Sequence, residues 1–161
     1  MNRWGLVVLA AFVAAAACGD DNPTSPSAPL VFTANLSPAN EVPPIGNAEG
    51  GGRGAVQISI DGTTASFYFQ LTGFPSDTRV VGAHIHTAGP GINGPIVVST
   101  GISAANAVVM TDPITEFRVT GIAVDPALVQ AIVNNPLGYY FNVHSPLNPG
   151  GFARGQLVRT Q

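Results

Sequence analysis

Alternation of apolar and polar residues predicts a hairpin in the first half of the chain. Apolar side chains occupy every second position from Val56 to Ile60 and again from Ala65 to Leu71, and Asp61-Gly62 stands between the two runs. Successive side chains of a strand point to opposite faces, and Asp-Gly is a common two-residue hairpin turn. The pattern therefore predicts two antiparallel strands with one buried face and one polar face.

Similar short runs, separated by glycine and proline, continue to the end of the chain. They predict strands at Leu30 to Leu36, Val80 to His86, Ile96 to Ser99, Ala107 to Met110, Ile114 to Val119, Tyr139 to His144 and Gly155 to Arg159. One helix is predicted after Asp125, with Pro126 in its first turn and a stop at Asn134-Asn135-Pro136. The side chains predicted to be buried include Ile58, Ile60, Phe67, Phe69, Ile85, Val143 and Leu157. The expected fold is all-β, an antiparallel sandwich or partly closed barrel with one short helix.

The first 29 residues follow no such pattern. Arg3 precedes an unbroken apolar or small run from Trp4 to Ala17, which is too short to span a bilayer and is typical of an export signal. The sequence Ala15-Ala16-Ala17-Cys18-Gly19 resembles the lipobox of bacterial lipoproteins, so Cys18 is predicted to be the lipidated first residue of the mature chain. Plain cleavage after an Ala-x-Ala pattern is the alternative.

The predicted organisation is a signal peptide over residues 1–18, a flexible linker over residues 19–29 and one domain over residues 30–161. The linker is rich in proline and serine and has no apolar periodicity. The remaining length suits a single core. We expect an exported lipoprotein that contacts the membrane only through its lipid anchor and lies in the periplasm or on the cell surface. Without the anchor, the protein would be secreted.

Charge and cysteine content exclude two further possibilities. Only 9% of the residues are charged, there is no lysine, and the formal net charge is −3. The basic surface that a nucleic-acid phosphate backbone requires is therefore absent. The single cysteine lies in the signal region, so no disulfide is expected within the domain.

All three histidines occur in two short segments, Ala83-His84-Ile85-His86 and Asn142-Val143-His144. On a strand, His84 and His86 share one face, and a neighbouring strand could bring His144 to them. Neutral imidazole is a good ligand for zinc or copper, and three such ligands leave a coordination position open. The alternative is a structural network, in which the rings bond to loop carbonyls or to Asn93 and Asn142.

Other residues give weaker indications. Glu41 and Arg154 stand out in a chain this poor in charge, because each could orient a histidine or pair with the other, although most such groups are simply solvated. Ser145 follows His144, but adjacent residues of a strand face opposite ways. With no Gly-x-Ser-x-Gly motif and no cysteine in the domain, a hydrolase is not predicted.

Four motifs in order resemble the CHRD domain, which was first described as a repeat in chordin and is common in exported bacterial proteins. They are Asn40 to Pro44, Ala83 to His86 with Gly91 to Val97, Tyr140 to His144, and Arg154 to Leu157. The resemblance runs from about Val31 to Val158 and implies an extracellular β domain without established catalysis. The family often has Glu-Ile before Arg-Gly-Gln, whereas this chain has Phe152-Ala153.

Two functions follow as hypotheses. The first is a surface-anchored, non-enzymatic module that binds a protein or envelope ligand or contributes to envelope structure. The second is a small exported protein that uses His84, His86 and His144 to hold copper or zinc for storage or redox chemistry. Asn142, Asn93, Glu41 and Arg154 are the residues expected to support that site.

Overall fold

The computed structural model describes residues 28–161, so the predicted signal peptide, Cys18 and most of the predicted linker lie outside the described residues. The elements in chain order are β1 Leu30–Leu36, β2 Arg53–Asp61, β3 Thr64–Thr72, β4 Arg79–Val80, β5 Gly82–Thr87, β6 Ile96–Ser99, β7 Val108–Val109, β8 Ile114–Ala123, α1 Pro126–Asn134, β9 Tyr139–His144, β10 Ala153–Gln156 and β11 Val158–Arg159. Single turns of 3-10 helix lie at Pro38–Asn40, Ala48–Gly51, Ala104–Asn106 and Pro136–Gly138.

The strands form two main antiparallel sheets. The five-stranded sheet has the order β11-β1-β2-β3-β8, and the four-stranded sheet has the order β10-β9-β5-β6. Strands β4 and β7 pair separately as a two-stranded ribbon. The all-β sandwich with one helix is thus confirmed, and the described residues form no closed barrel.

The predicted hairpin is β2 and β3, but two other predicted strands are divided. The run Val80 to His86 breaks at Val81, so that β4 joins the ribbon and β5 the four-stranded sheet. The run Gly155 to Arg159 breaks at Leu157, which is buried and whose amide donates to the Tyr139 carbonyl. There the chain passes from the four-stranded sheet to the edge of the five-stranded one.

The core lies between the two main sheets and is rich in phenylalanine. Phe141 of β9 contacts Phe67 and Phe69 of β3, with ring centroids 5.9 and 5.2 Å apart. Phe69 also stacks on Phe117 of β8 at 4.3 Å. The seven side chains predicted to be buried are each at most 2% exposed: Ile58, Ile60, Phe67, Phe69, Ile85, Val143 and Leu157.

The helix forms as its sequence predicts. The Asp125 carboxylate accepts hydrogen bonds from the amides of Ala127 and Leu128, and Pro126 occupies the first turn, where its missing N–H costs nothing. Val129 and Ile132 are the buried residues of α1. Within residues 28–161, no helix has the length and apolar character needed to cross a membrane.

The two faces of the four-stranded sheet differ in chemistry although both are largely buried. One face packs in the core through residues such as Ala83, Ile85 and Phe141. The other carries the polar residues that alternate with them, and loops contact it instead of a second sheet. We call this the covered polar face: Gly82, His84 and His86 of β5, Tyr140, Asn142 and His144 of β9, and Arg154 of β10.

Candidate functional site

The register of β5 and β9 brings the histidines together. Gly82 lies opposite His144, and His84 lies opposite Asn142, so the alternating residues of both strands share one face. Gly82 makes room for two of the rings, because a Cβ there would lie 2.9 Å from Cε1 of His84 and 3.4 Å from Cβ of His144. Any larger residue at position 82 would have to displace the His84 ring.

The three histidines each offer one ring nitrogen to a compact group. These three nitrogens all lie within 4.8 Å of one another. The ring centroids are 4.9 Å apart for His84 and His144, 5.6 Å for His86 and His144, and 5.8 Å for His84 and His86. The structure therefore places all three histidines of the chain in one cluster, as their strand phasing predicts.

Backbone carbonyls fix the protonation of two rings. Nδ1 of His86 lies 2.9 Å from the Gly94 carbonyl oxygen, and Nδ1 of His144 lies 3.1 Å from that of Pro149. A carbonyl oxygen can only accept, so each Nδ1 donates a proton and each Nε2 of the neutral ring has a free lone pair. Nε2 of His86, Nε2 of His144 and Nδ1 of His84 are buried and have no hydrogen-bond partner.

The environment keeps these rings neutral. Burial lowers the pKa of His144 to about 4, and His84 and His86 add to this effect against the opposing hydrogen bond to Pro149. Burial is also the main cause that lowers the pKa of His84 and that of His86. The cluster thus presents lone pairs rather than protons near neutral pH.

Tyr140 packs against one face of the His86 ring. Its ring stacks on the imidazole with centroids 4.9 Å apart and an interplanar angle of 11°. Its hydroxyl accepts a hydrogen bond of 3.1 Å from the Gly94 amide. Gly94 therefore binds His86 through its carbonyl and Tyr140 through its amide, which fixes both rings against the same loop.

Arg154 is the fully buried cation of the covered polar face. It is 1% exposed, and its guanidinium lies over the Tyr140 ring at 4.7 Å. Nε donates to the Asn40 carbonyl at 2.6 Å, and Nη1 donates to the Asn93 side chain at 2.7 Å. Nε also lies 4.0 Å from the Glu41 carboxylate, so these two residues form the pair that the sequence suggested.

Glu41 is buried beside this arginine. Burial raises its pKa to about 7, against the opposing influence of Arg154 and Asn142. One of its oxygens, Oε1, has no hydrogen-bond partner. The carboxyl group therefore carries only part of a negative charge at neutral pH, and that charge lies next to Arg154.

Asn142 and Asn93 were both expected to support the histidines, and neither hydrogen-bonds to them. Asn142 lies opposite His84, is 1% exposed, and donates to the Gly150 carbonyl at 3.3 Å. Gly151 packs directly on its amide group, where a Cβ would collide with the side chain. Asn93 lies on the loop side and donates to the Val42 carbonyl at 2.8 Å.

A buried carboxylate that the sequence analysis did not identify holds the 145–151 loop. Glu49 is 3% exposed and accepts hydrogen bonds from the Ser145 hydroxyl, at 2.7 Å, and from the Asn148 side chain. The backbone N–H of Asn148 in turn donates to the Ser145 hydroxyl. This network fixes the loop whose Pro149 carbonyl orients His144.

A cleft of about 350 Å³ lies beside this loop. Its walls are residues 42–47 and 147–151, and Glu41 and Asn93 also line it. Glu41 and Asn93, two of the residues predicted to support the site, thus line the cleft and also contact Arg154.

Comparison with known proteins identifies one family. A family model of the CHRD domain matches residues 32–157 of the chain. The match includes the complete strands from β2 to β10, and therefore all three histidines and the residues that surround them. No curated protein matches the chain.

Proposed function

Because the chain belongs to the CHRD family, and because three histidines cluster on its covered polar face, we propose that it is a metal-binding CHRD module. His84, His86 and His144 would each give one nitrogen to a single copper or zinc ion. The ion would serve storage or redox chemistry, or stabilise the module in its role of binding an envelope partner. Neutral imidazole suits both metals, and three histidines with one open position are a common zinc ligand set.

The unpartnered ring nitrogens carry this proposal. A buried polar atom without a partner costs about 1–3 kcal/mol, and each of the three clustered histidines has one such ring nitrogen. The carbonyls of Gly94 and Pro149 hold the Nδ1 protons outward, which is the usual way a protein orients a metal-binding histidine. A purely structural network accounts for those two hydrogen bonds but gives the three inward nitrogens no partner.

Metal-linked stability tests the proposal. Protein made without a histidine tag is stripped with a chelator, and its unfolding free energy is measured with and without Zn²⁺ or Cu²⁺. Binding predicts a gain of about 2.7 kcal/mol at a metal concentration one hundred times the Kd. Each of His84→Ala, His86→Ala and His144→Ala should abolish the gain.

Phe69→Leu is the control for lost stability alone, because it alters the core and leaves the histidines in place. This variant should be less stable but should keep the metal-dependent gain. If instead the histidine variants lose stability equally with and without metal, and wild type gains nothing, the cluster is a structural network and the metal proposal fails.

The place of action is a separate proposal that rests on residues 1–18. We infer export followed by lipidation of Cys18, which would tether the module by the linker to a membrane surface. Wild-type protein should then enter the detergent phase on phase separation, and Cys18→Ser should remain in the aqueous phase or fail to mature. Equal partitioning of both forms, with a mature N-terminus other than Cys18, would contradict lipidation.

A further inference from the structure

The histidine cluster supplies three donors to a metal ion and no more. Among residues 28–161, the group that could hold an ion consists of His84, His86 and His144, without aspartate, glutamate or cysteine. Zinc in proteins takes four or more ligands, and a site with three protein ligands is completed by a molecule from solution. A fourth ligand must therefore come from outside the cluster.

Charge decides what kind of ligand this is. Three neutral imidazoles leave the full charge of a divalent cation in a site where His86 and His144 are 7% and 8% exposed. A buried, uncompensated charge is costly, so a ligand that carries a negative charge is favoured over a neutral one.

The surrounding residues do not neutralise the charge of the ion. Arg154 is linked to the cluster through Tyr140, since its guanidinium lies over the Tyr140 ring and that ring stacks on His86. The nearby carboxylate, Glu41, lies 4.0 Å from Arg154 and so compensates the arginine rather than the ion. No further negative group in the described chain lies within the ligand set.

The cluster also reaches the surface on one side. His84 is only partly buried, unlike the other two histidines. The residue opposite it on the neighbouring strand β6 is Ser99, which is exposed. The His84 side is therefore the least covered approach to the cluster, although Nδ1 of His84 is itself buried.

We infer that the metal-loaded protein binds one small monovalent anion, of the size of azide or thiocyanate, as the ligand that completes the three-histidine site. This inference rests on the proposed function, because the anion binds the ion that the histidines hold. The inorganic anion supplies the negative charge that the described ligand set does not.

Cobalt absorption tests the inference. Co²⁺ takes the place of zinc and absorbs visible light according to its ligands, so sodium azide is titrated into Co²⁺-loaded protein at constant ionic strength kept with sodium perchlorate. We expect a shift of the visible spectrum that saturates with one azide per Co²⁺. Glu41→Gln removes a negative charge near the site, without touching a histidine, and should lower the azide concentration at half-saturation.

The outcomes separate this inference from the proposed function. If Co²⁺ does not bind to wild type, or binds equally to the triple His84→Ala, His86→Ala, His144→Ala variant, the metal proposal itself fails. If Co²⁺ binds only to wild type but azide gives no more change than perchlorate, the metal proposal stands and the anion inference is overturned. A spectral change that arises because Co²⁺ leaves the protein also overturns the anion inference. Such a loss is detected as Co²⁺ in the filtrate when the protein is retained by a membrane filter.

Discussion

Each main sheet carries an arginine over a tyrosine ring, with a glutamate nearby, on the face turned away from the core. On the five-stranded sheet, Arg118 lies 4.3 Å from the centre of the Tyr68 ring and 3.8 Å from Glu116. The Tyr68 hydroxyl donates to Glu116 at 3.0 Å. The side chains of Arg118 and Glu116 are 71% and 49% exposed, so water competes for every one of these contacts.

On the four-stranded sheet the same three residue types are enclosed. Arg154 lies 4.7 Å from the centre of the Tyr140 ring and 4.0 Å from Glu41, and the side chains of Arg154 and Glu41 are 2% and 4% exposed. Loops that cover this face supply the additional partners of the guanidinium, the Asn40 carbonyl and the Asn93 side chain.

The comparison shows that loop cover, rather than residue type, distinguishes the two clusters. Exposed ion pairs contribute little to stability, whereas a buried charge whose partner is removed costs several kcal/mol. Loop cover also lowers the pKa of His86 and that of His144, and one nitrogen of each ring is buried from solvent. The covered polar face is therefore the part of the molecule in which substitutions should have the larger effects.

Matched arginine substitutions test this difference most strongly. Arg154→Ala deletes a fully buried side chain and leaves the Asn40 carbonyl without its donor, so it should lower the free energy of unfolding by about 2–5 kcal/mol. Arg118→Ala should change it little, because its contacts are exposed. Urea denaturation at pH 7 measures both, and equal losses would show that loop cover does not separate the clusters.

A second pair compares two glutamates. Glu49→Ala leaves the Ser145 hydroxyl and the Asn148 side chain buried without their acceptor, which should cost about 1–3 kcal/mol. It should also weaken metal binding about 10–100-fold, because the loop that orients His144 is released. Glu116→Ala is the exposed control and should affect neither quantity. Lower stability with unchanged metal affinity in Glu49→Ala would contradict a positioning role.

Removing one hydroxyl from each tyrosine gives a smaller effect. Tyr140→Phe loses the acceptor of the Gly94 amide, at a cost of about 0.5–1.5 kcal/mol. Tyr68→Phe should be close to neutral, because its hydroxyl contacts the exposed Glu116. Thermal unfolding of both variants checks the pair, and a larger loss in Tyr68→Phe would reverse the proposed ranking.

The pH dependence of the metal-free protein should be shallower than its histidines alone would make it, because Glu41 opposes them. The pKa of His144 falls from 6.5 to about 4 on folding, so the unfolded chain binds more protons and stability rises with pH across that interval. The pKa of Glu41 rises from 4.5 to about 7, so the folded chain binds more protons and stability falls as pH increases. His84 and His86 act in the same direction as His144.

Glu41→Gln removes one of these opposing contributions. Its melting temperature in the presence of a chelator should therefore rise more steeply than that of wild type between pH 4.5 and 6.5. His144→Gln should shift the slope in the opposite direction. Parallel curves for wild type and Glu41→Gln would show that Glu41 does not hold its proton in the folded state.

Residue alternation was enough to predict the sandwich and the meeting of the histidines. The two-residue period of a strand places His84 and His86 on one face, and the same parity applies to Asn142 and His144. Alternation does not reveal where a strand changes sheet, which is why the breaks at Val81 and Leu157 were not predicted.

Residue alternation cannot predict the loop cover or the residues that support it. A polar strand face has the same sequence pattern whether water or a loop lies over it, so the burial of Arg154 and Tyr140 had no local signal. Glu49 stands in a glycine-rich segment, and its partners Ser145 and Asn148 are 96 and 99 residues away in sequence. Only the folded chain brings these residues together.

Anomalous X-ray diffraction from crystals grown with Zn²⁺ would show whether the three histidines hold one ion. We predict one zinc peak at about 2.0–2.1 Å from Nδ1 of His84, Nε2 of His86 and Nε2 of His144. The ligand nitrogens now lie within 4.8 Å of one another, so the rings should move closer together when the ion binds. The Nδ1 hydrogen bonds of His86 to Gly94 and of His144 to Pro149 should remain. The absence of a peak among the three rings would show that they hold no zinc, and binding through Nδ1 of His86 with its bond to Gly94 broken would show that the loop carbonyls do not orient the ligands.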